Sequence, residues 1–457
     1  MGGGSSSNSV DSTSTTDEGT ETAEGSETEA GETEASEAAS AEGKETINLW
    51  SFSEEIPNMA LRYLELNPEF ADKYHIEVTV IGMGGGGYQQ ALDQALLGGG
   101  ADAPDIYVLE AAFALKYTQG ELAEYAMTYD DLLGIDTKAA VAEAQIAPYI
   151  TDIGTRGNDI VALGPQATGG AAIYRRSIAE EVWGTDDPDE VAAKIGPGWD
   201  KFMAAAAEMK EHGYAMVSGT GDVWSPVLAS GETPWVVDGK LSIAPGRERF
   251  LDFAKELYEN EYMNDAGSWS DAWFADMGGN GAKEVFTFLG ASWLINYVMA
   301  DNVGETAGDW AVAVPPEGFF AGGTWLVANN EVEDVVKDGV AEILEWVSLD
   351  TSEEGLQYLW ANGTLYDDDD TKVTVASSVV MASSNGEVDI LGGQDMFDVY
   401  IPACEAADAS NISQYDEFIS GYFDSAAIEY ATGLKTREEA LESFKQQIAD
   451  NLGITVD

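Results

Sequence analysis

Twelve tryptophans and nineteen tyrosines stand among the 457 residues of the chain. Trp50, Phe52, Tyr107, Trp224, Trp235, Trp269, Trp273, Trp293 and Trp325 fall where strand patterns give way to loops. Flat rings stack on the apolar C–H faces of sugar rings, and carboxylates and amides can then bond the hydroxyls. Aromatic walls with a few placed polar groups make a small-ligand cleft. Each of these tryptophans also fits a plain core role. Trp183, Trp199, Trp346 and Trp360 lie on apolar helix faces and read as core.

Catalytic constellations are missing from the same residues. No Gly-x-Ser-x-Gly elbow, His-Glu-x-x-His, Walker loop or dinucleotide fingerprint occurs in a fitting context. The glycine run Gly82–Gly87 has no following Lys and reads as a turn rather than a phosphate cradle. With 83 acidic residues, any two carboxylates can be nominated as a glycosidase pair, so that signal carries no weight. Asp367-Asp368-Asp369-Asp370 lacks the spacing of a calcium loop and reads as a solvated turn. The single thiol, Cys404, has only His75 and His212 as conceivable partners and reads as a small packed residue. No cofactor and no metal are called for.

The elements that would position the rings follow an α/β rhythm. Strands are expected at Ile47–Phe52, Ile76–Val80 and Asp105–Leu109. Helices are expected from Ser53 and over Tyr88–Leu97 between them. This β-α-β-α-β order implies a parallel sheet covered on both faces. Further strands are expected at Ala171–Tyr174, Val285–Leu289, Trp310–Val314 and Phe320–Ala328, and further helices at Trp199–Glu211, Arg249–Tyr258 and Val335–Val347. Ser177 with Glu180, and Thr436 with Glu439, read as capping boxes, and Thr351 with Glu354 as the cap of another helix.

Composition bounds the class. Residues 1–45 contain no aromatic, Leu or Ile and are rich in Ser, Thr, Gly, Ala and Glu. Such a segment cannot bury enough apolar surface to fold, so it reads as a disordered acidic tether. Its opening, Met1-Gly2-Gly3-Gly4-Ser5-Ser6-Ser7, resembles a mature bacterial lipoprotein with a start Met in place of the lipid-bearing Cys. The remainder is long enough for about two domains. No run of 18 apolar residues exists. A formal charge of −62 disfavours phosphate backbones, so nucleic acid is not an expected partner.

Six short stretches, in order, resemble the maltose-binding-protein-like family of extracellular solute-binding proteins of bacterial carbohydrate ABC importers. They are Ala103-Pro104-Asp105-Ile106-Tyr107, the run from Gly164 to Arg175, Gly196-Pro197-Gly198-Trp199-Asp200, Phe288 to Trp293, Gly322-Gly323-Thr324-Trp325, and Leu391-Gly392-Gly393-Gln394-Asp395. Two departures are the missing anchor Cys and Ser292 where many relatives carry Pro. The resemblance implies two α/β lobes, each a parallel-rich sheet flanked by helices, joined by crossover segments. The first lobe would hold 46–164 and 322–365, and the second 169–316 and 370–457. A neutral oligosaccharide would bind between them by hinge closure and pass to an ABC permease. The protein would be a monomer, tethered by a lipid anchor outside the cytoplasmic membrane, and not an enzyme. On this resemblance Trp293 and Trp224 are stacking platforms. Trp50, Phe52 and Glu54 face the cleft after the first strand, Glu110 accepts from hydroxyls, and Trp325 lies at the second crossover. Gln394 and Asp395 are polar contacts, Trp273 with Trp269 form a lid or packing, and Asp105 bonds backbone. Sparse Arg argues against acidic glycans. A non-sugar solute, such as an osmolyte or peptide, is the alternative on the same fold, and a surface glycosidase a more distant one.

Overall fold

The computed structural model describes residues 43–100, 103–229 and 232–456, so the expected tether lies almost entirely outside the described residues. In chain order the main strands are β1 (Glu45–Ser51), β2 (Tyr74–Val80), β3 (Ile106–Glu110), β4 (Ala171–Arg175), β5 (Thr287–Gly290), β6 (Trp310–Ala313) and β7 (Thr324–Ala328). Five helices matter for the site: α1 (Glu55–Leu66), α2 (Gly87–Gly98), α3 (Ala111–Thr118), α4 (Thr220–Ala229) and α5 (Asp416–Ala431).

The first sheet runs β7-β3-β1-β2. Both β2 and β3 lie parallel to β1, as expected from the rhythm of the sequence, and β7 closes the edge antiparallel to β3. Every residue of β3 but Glu110 is buried, as a strand covered on both faces requires. The second sheet runs β6-β4-β5. Here the expected parallel pairing does not hold, because both pairs are antiparallel. The cause is direction: β4 arrives from the first sheet and runs away from the junction. Gly290, at the end of β5, pairs with Ala171 at the start of β4, and β6 likewise runs back toward it. Parallel pairing in this half survives in the bridges Ala215–Val285 and Val217–Met263.

The alternation of strand side chains divides the core. Ala171, Ile173, Trp310 and Val312 join the large cluster that continues through the junction into the first sheet. Ala172, Tyr174, Ala311 and Ala313 face a second cluster built on Trp199, Trp235, Phe250, Phe423 and Phe444. The result is a two-lobed α/β architecture with helices flanking each sheet.

Among the described residues, three segments lie side by side at the junction of the two sheets. Residues 163–169 run antiparallel to 320–326, with bridges at Leu163–Leu326 and Gly169–Phe320. The third, before Ala376, is tied to the first by Ala376 N–H to Pro165 O at 2.7 Å and by Thr374 Oγ1 to Ala167 O. Gly164 is needed where the first two meet, because a Cβ there would lie 1.8 Å from Thr324 O.

Three capping readings meet different fates. The box at Thr436 and Glu439 forms, and Gly453 ends that helix in the left-handed region. Ser177 instead lies inside the helix Arg176–Trp183. Its N–H and Oγ both donate to Asp309, a cap supplied by a residue 132 positions away. The helix expected after Thr351 begins at Leu356, with Gly355 before it and no side-chain cap.

Candidate functional site

The end of β3 and the start of α3 share one residue, Glu110. Its backbone is extended, and its Oε2 accepts the Ala112 N–H at 2.7 Å, so the carboxyl caps α3. Burial pushes its pKa up to about 7; the bond from Ala112 opposes this and Glu417 adds to it. Glu110 opens onto a cavity of about 350 Å³.

The facing wall comes from the second sheet. Beyond β5 the chain turns at Ala291-Ser292. Ser292 is buried and bonded to Thr374 through Oγ–Oγ1 at 2.7 Å and through the Thr374 N–H at 3.0 Å. That anchor aims half-buried Trp293 into the cavity, with Nε1 donating to Ala321 O at 2.9 Å. The floor is the second crossing segment, with Phe320, Ala321 and Gly322. Phe320 stacks on Tyr149 with centroids 4.7 Å apart, and Tyr149 OH bonds Thr168. Thr168 Oγ1 donates to Gly322 O at 2.9 Å. Glu110 and Trp293 converge on Gly322. A Cβ there would stand 3.6 Å from Glu110 Oε1 and 3.8 Å from Trp293 Nε1, at a φ of +69° that favours glycine.

The remaining wall is helical. Ser225 and Leu228 of α4 face the cavity, as do Asp416, Glu417 and Ser420 of α5. Asp416 Oδ1 accepts from Ser413 N–H at 3.0 Å and Oγ at 2.5 Å. Burial raises its pKa to about 6, against those bonds and the nearby Arg247 guanidinium. Glu417 Oε2 accepts from Gln89 Nε2 of α2 at 2.6 Å. Ser420 is 8 % exposed and its Oγ has no partner among the described residues.

Two of the expected site residues, Glu110 and Trp293, line this cavity. The structure places the others elsewhere. Trp325 is 1 % exposed, with Nε1 spent on Ile150 O at 2.9 Å, so it is core of the first lobe. Trp224 turns away from the cavity that its neighbours Ser225 and Leu228 line. It packs on Phe250 at 4.5 Å and Phe423 at 5.6 Å. Phe52 sits edge-on to Tyr88 and Phe113. Trp50 is a strand residue packed partly buried against the core, its carbonyl accepting from Tyr88 OH, and Glu54 is exposed at the start of α1. Gln394 accepts from Val312 N–H at 2.8 Å and donates to Val312 O at 2.9 Å, extending the edge of β6 as another strand would. Asp395 Oδ1 accepts the Phe397 N–H just before the next helix. Trp273 is buried and donates Nε1 to Asp222 at 2.9 Å. Its ring backs Trp269, which is 60 % exposed, has φ +66°, and lies parallel to Trp293 within 7° at 6.0 Å. Asp105 bonds Asn48 N–H at 2.8 Å, and Cys404 is buried with its thiol pushed up to about 12.

Phe320, Asp416, Glu417 and Ser420 were not legible as site residues. One signal was available: Asp416, Ser420 and Asp424 recur every four residues beside the apolar stripe of Ile419, Phe423 and Ala427. The assembled surface offers one stacking ring, a second ring beneath, and carboxyl oxygens as acceptors. It can hold a small polar ligand with an apolar face.

A family model for bacterial extracellular solute-binding proteins matches residues 66–378. No curated protein sequence matches the chain. Among solved structures, an extracellular solute-binding protein of family 1 superposes with a TM-score of 0.69 at 17 % identity, covering 88 % of this chain and 98 % of that one. The galacto-N-biose/lacto-N-biose I-binding protein of an ABC transporter from Bifidobacterium longum gives 0.65 at 14 %, covering 91 % and 99 %. The sugar-binding protein MalE from Xanthomonas citri gives 0.63 at 14 %, covering 89 % and 97 %. At these identities the likeness is one of fold.

Proposed function

The chain belongs to the bacterial extracellular solute-binding protein family, and from that premise we propose that it captures a saccharide free of acid groups and delivers it to an ABC permease. The observation that carries this reading is the convergence of Glu110 and Trp293 on Gly322, in a cavity that Phe320 also lines. Trp293 stacks on one sugar ring, while Glu110 and Glu417 accept from its hydroxyls. Among the described residues no Arg or Lys lines the cavity to hold a uronate or sulfate. The solved proteins of this fold include binding proteins for lacto-N-biose, β-1,6-galactobiose and acarbose, which supports a sugar over an osmolyte or peptide.

The carboxyls act as acceptors and carry out no bond cleavage. Contacts made to both lobes at once favour a closed state for the permease to recognise. The protein works as a monomer, and the Ser/Thr/Glu-rich segment before Glu45 serves as a spacer between a lipid anchor in the outer face of the membrane and the folded body.

A thermal-shift screen over mono- and oligosaccharides without acid groups, neutral and amine-bearing, tests this. Binding to the native state alone raises Tm by mass action. A rise of several degrees with one saccharide series, the glycan recovered intact, is the expected result. A response to peptides or osmolytes and to no sugar overturns the saccharide assignment.

A further inference from the structure

The charge of the cavity wall narrows the ligand further, taking the saccharide reading as given. Glu110, Asp416 and Glu417 line the cavity, and among the described residues no Lys, Arg or His does. None of the three forms an ion pair among the described residues. Glu110 rests on a backbone N–H, Glu417 on the neutral amide of Gln89, and Asp416 on Ser413. Arg247 stands behind Asp416 but gives its N–H groups to the carbonyls of Leu228, Thr233 and Asn411. One turn beyond Ser420 on the same helix, Asp424 Oδ1 is buried without a partner among the described residues, as is Ser420 Oγ itself. Burial raises the proton affinity of all four carboxyls; the Arg247 charge opposes this at Asp416, and no cation does so at Glu110, Glu417 or Asp424.

We infer that the ligand is a saccharide bearing a protonated amine, held with its ammonium group between Glu110 and Glu417 and against Trp293 and Phe320. A neutral sugar can give hydroxyl protons to these oxygens but brings no positive charge to favour their ionised form. An ammonium supplies three donors and the missing charge together. Ring faces add a quadrupole attraction that strengthens where water is excluded. A bare metal ion fits less well, because among the described residues no three carboxyls gather closely enough to hold one.

Calorimetry on the full chain at neutral pH tests the inference. The probes are glucosamine and its di- and trisaccharides, the N-acetylated counterparts, and the matching glucose oligomers, with choline and spermidine as amines that are not sugars. Glucosamine oligomers are expected to bind at least ten-fold more tightly than either neutral series. That ratio should fall at least five-fold in Glu417→Gln, and independently in Glu110→Gln. A lost ratio cannot come from general loosening of the fold, which would weaken every probe. Neutral oligomers binding as well as the amines overturn the inference and leave the saccharide function standing. Choline or spermidine binding, with no sugar bound, overturns both. Absence of binding by any amine sugar also overturns it.

Discussion

Gln89 Nε2 lies 2.6 Å from Glu417 Oε2, joining α2 beside the first sheet to α5 beside the second across 328 residues of sequence. It is a direct bond between the two halves at a residue that also lines the cavity. A hydrogen bond to a charged acceptor contributes about 1.5–3 kcal/mol. Gln89→Ala should therefore shift the free protein toward open forms. Small-angle scattering is expected to give a larger radius of gyration than for the parent chain. An unchanged value would mean that the bond does not hold the halves together.

Trp269 combines high exposure with a left-handed backbone, a costly pairing for a large side chain. Its ring stacks parallel to that of Trp293 at 6.0 Å. Two variants separate backbone from ring. Trp269→Gly and Trp269→Ala both remove the stack, but only glycine relieves φ. The glycine variant should be more stable than the alanine variant by about 1 kcal/mol in urea unfolding. Equal stabilities would show that the loop relaxes out of the left-handed region.

Trp325 and Trp293 read alike in sequence, each following a glycine-bearing stretch near a crossover, yet their surroundings differ. Trp325 is enclosed and bonded to Ile150 O, while Trp293 is half-buried against a cavity. Trp325→Ala should cost about 3–5 kcal/mol of stability. Trp293→Ala should cost no more than about 2 kcal/mol and should act mainly on ligand binding. Chemical denaturation of the two variants checks this, and equal losses would contradict the placement.

What the sequence disclosed follows the range of the forces involved. The first sheet and the helix Trp199–Glu211 were legible because periodicity, caps and turns are local. Antiparallel pairing of β4 was not, because it depends on the direction in which the chain enters a second lobe. The place of Glu110 at the cavity was legible because it ends a strand, and clefts in open α/β sheets lie beyond strand ends. Gln394 misled for the opposite reason. A polar amide in a glycine-rich loop looks free, but β6 had an unfilled edge and the amide completes it. Asp416, Glu417 and Ser420 escaped because a polar face on a helix is ordinarily solvent-exposed. Only the packing of α5 against the first lobe makes it a wall.

The buried carboxyls set an expectation for stability against pH. Burial raises Glu55 and Glu110 to about 7 and Asp222, Asp416 and Asp424 to about 6. Below pH 4 both folded and unfolded chains hold these protons. Between the unfolded pKa values and 6 to 7, the folded chain keeps protons that the unfolded chain has lost, so raising pH through that window costs stability. Every tenfold gain in proton affinity on folding corresponds to about 1.4 kcal/mol per group. Asp130 and Glu439, whose pKa values are lowered, act in the opposite sense but only at more acidic pH. Urea unfolding of the free protein should show stability falling from pH 5 to pH 8. Glu110→Gln, which removes one titrating group facing Glu417 while keeping an oxygen to accept from Ala112, should fall less steeply. Stability that is flat or rises over the same range would mean these side chains ionise in the folded chain as freely as in the unfolded one. In that case the cavity would carry its full negative charge at rest.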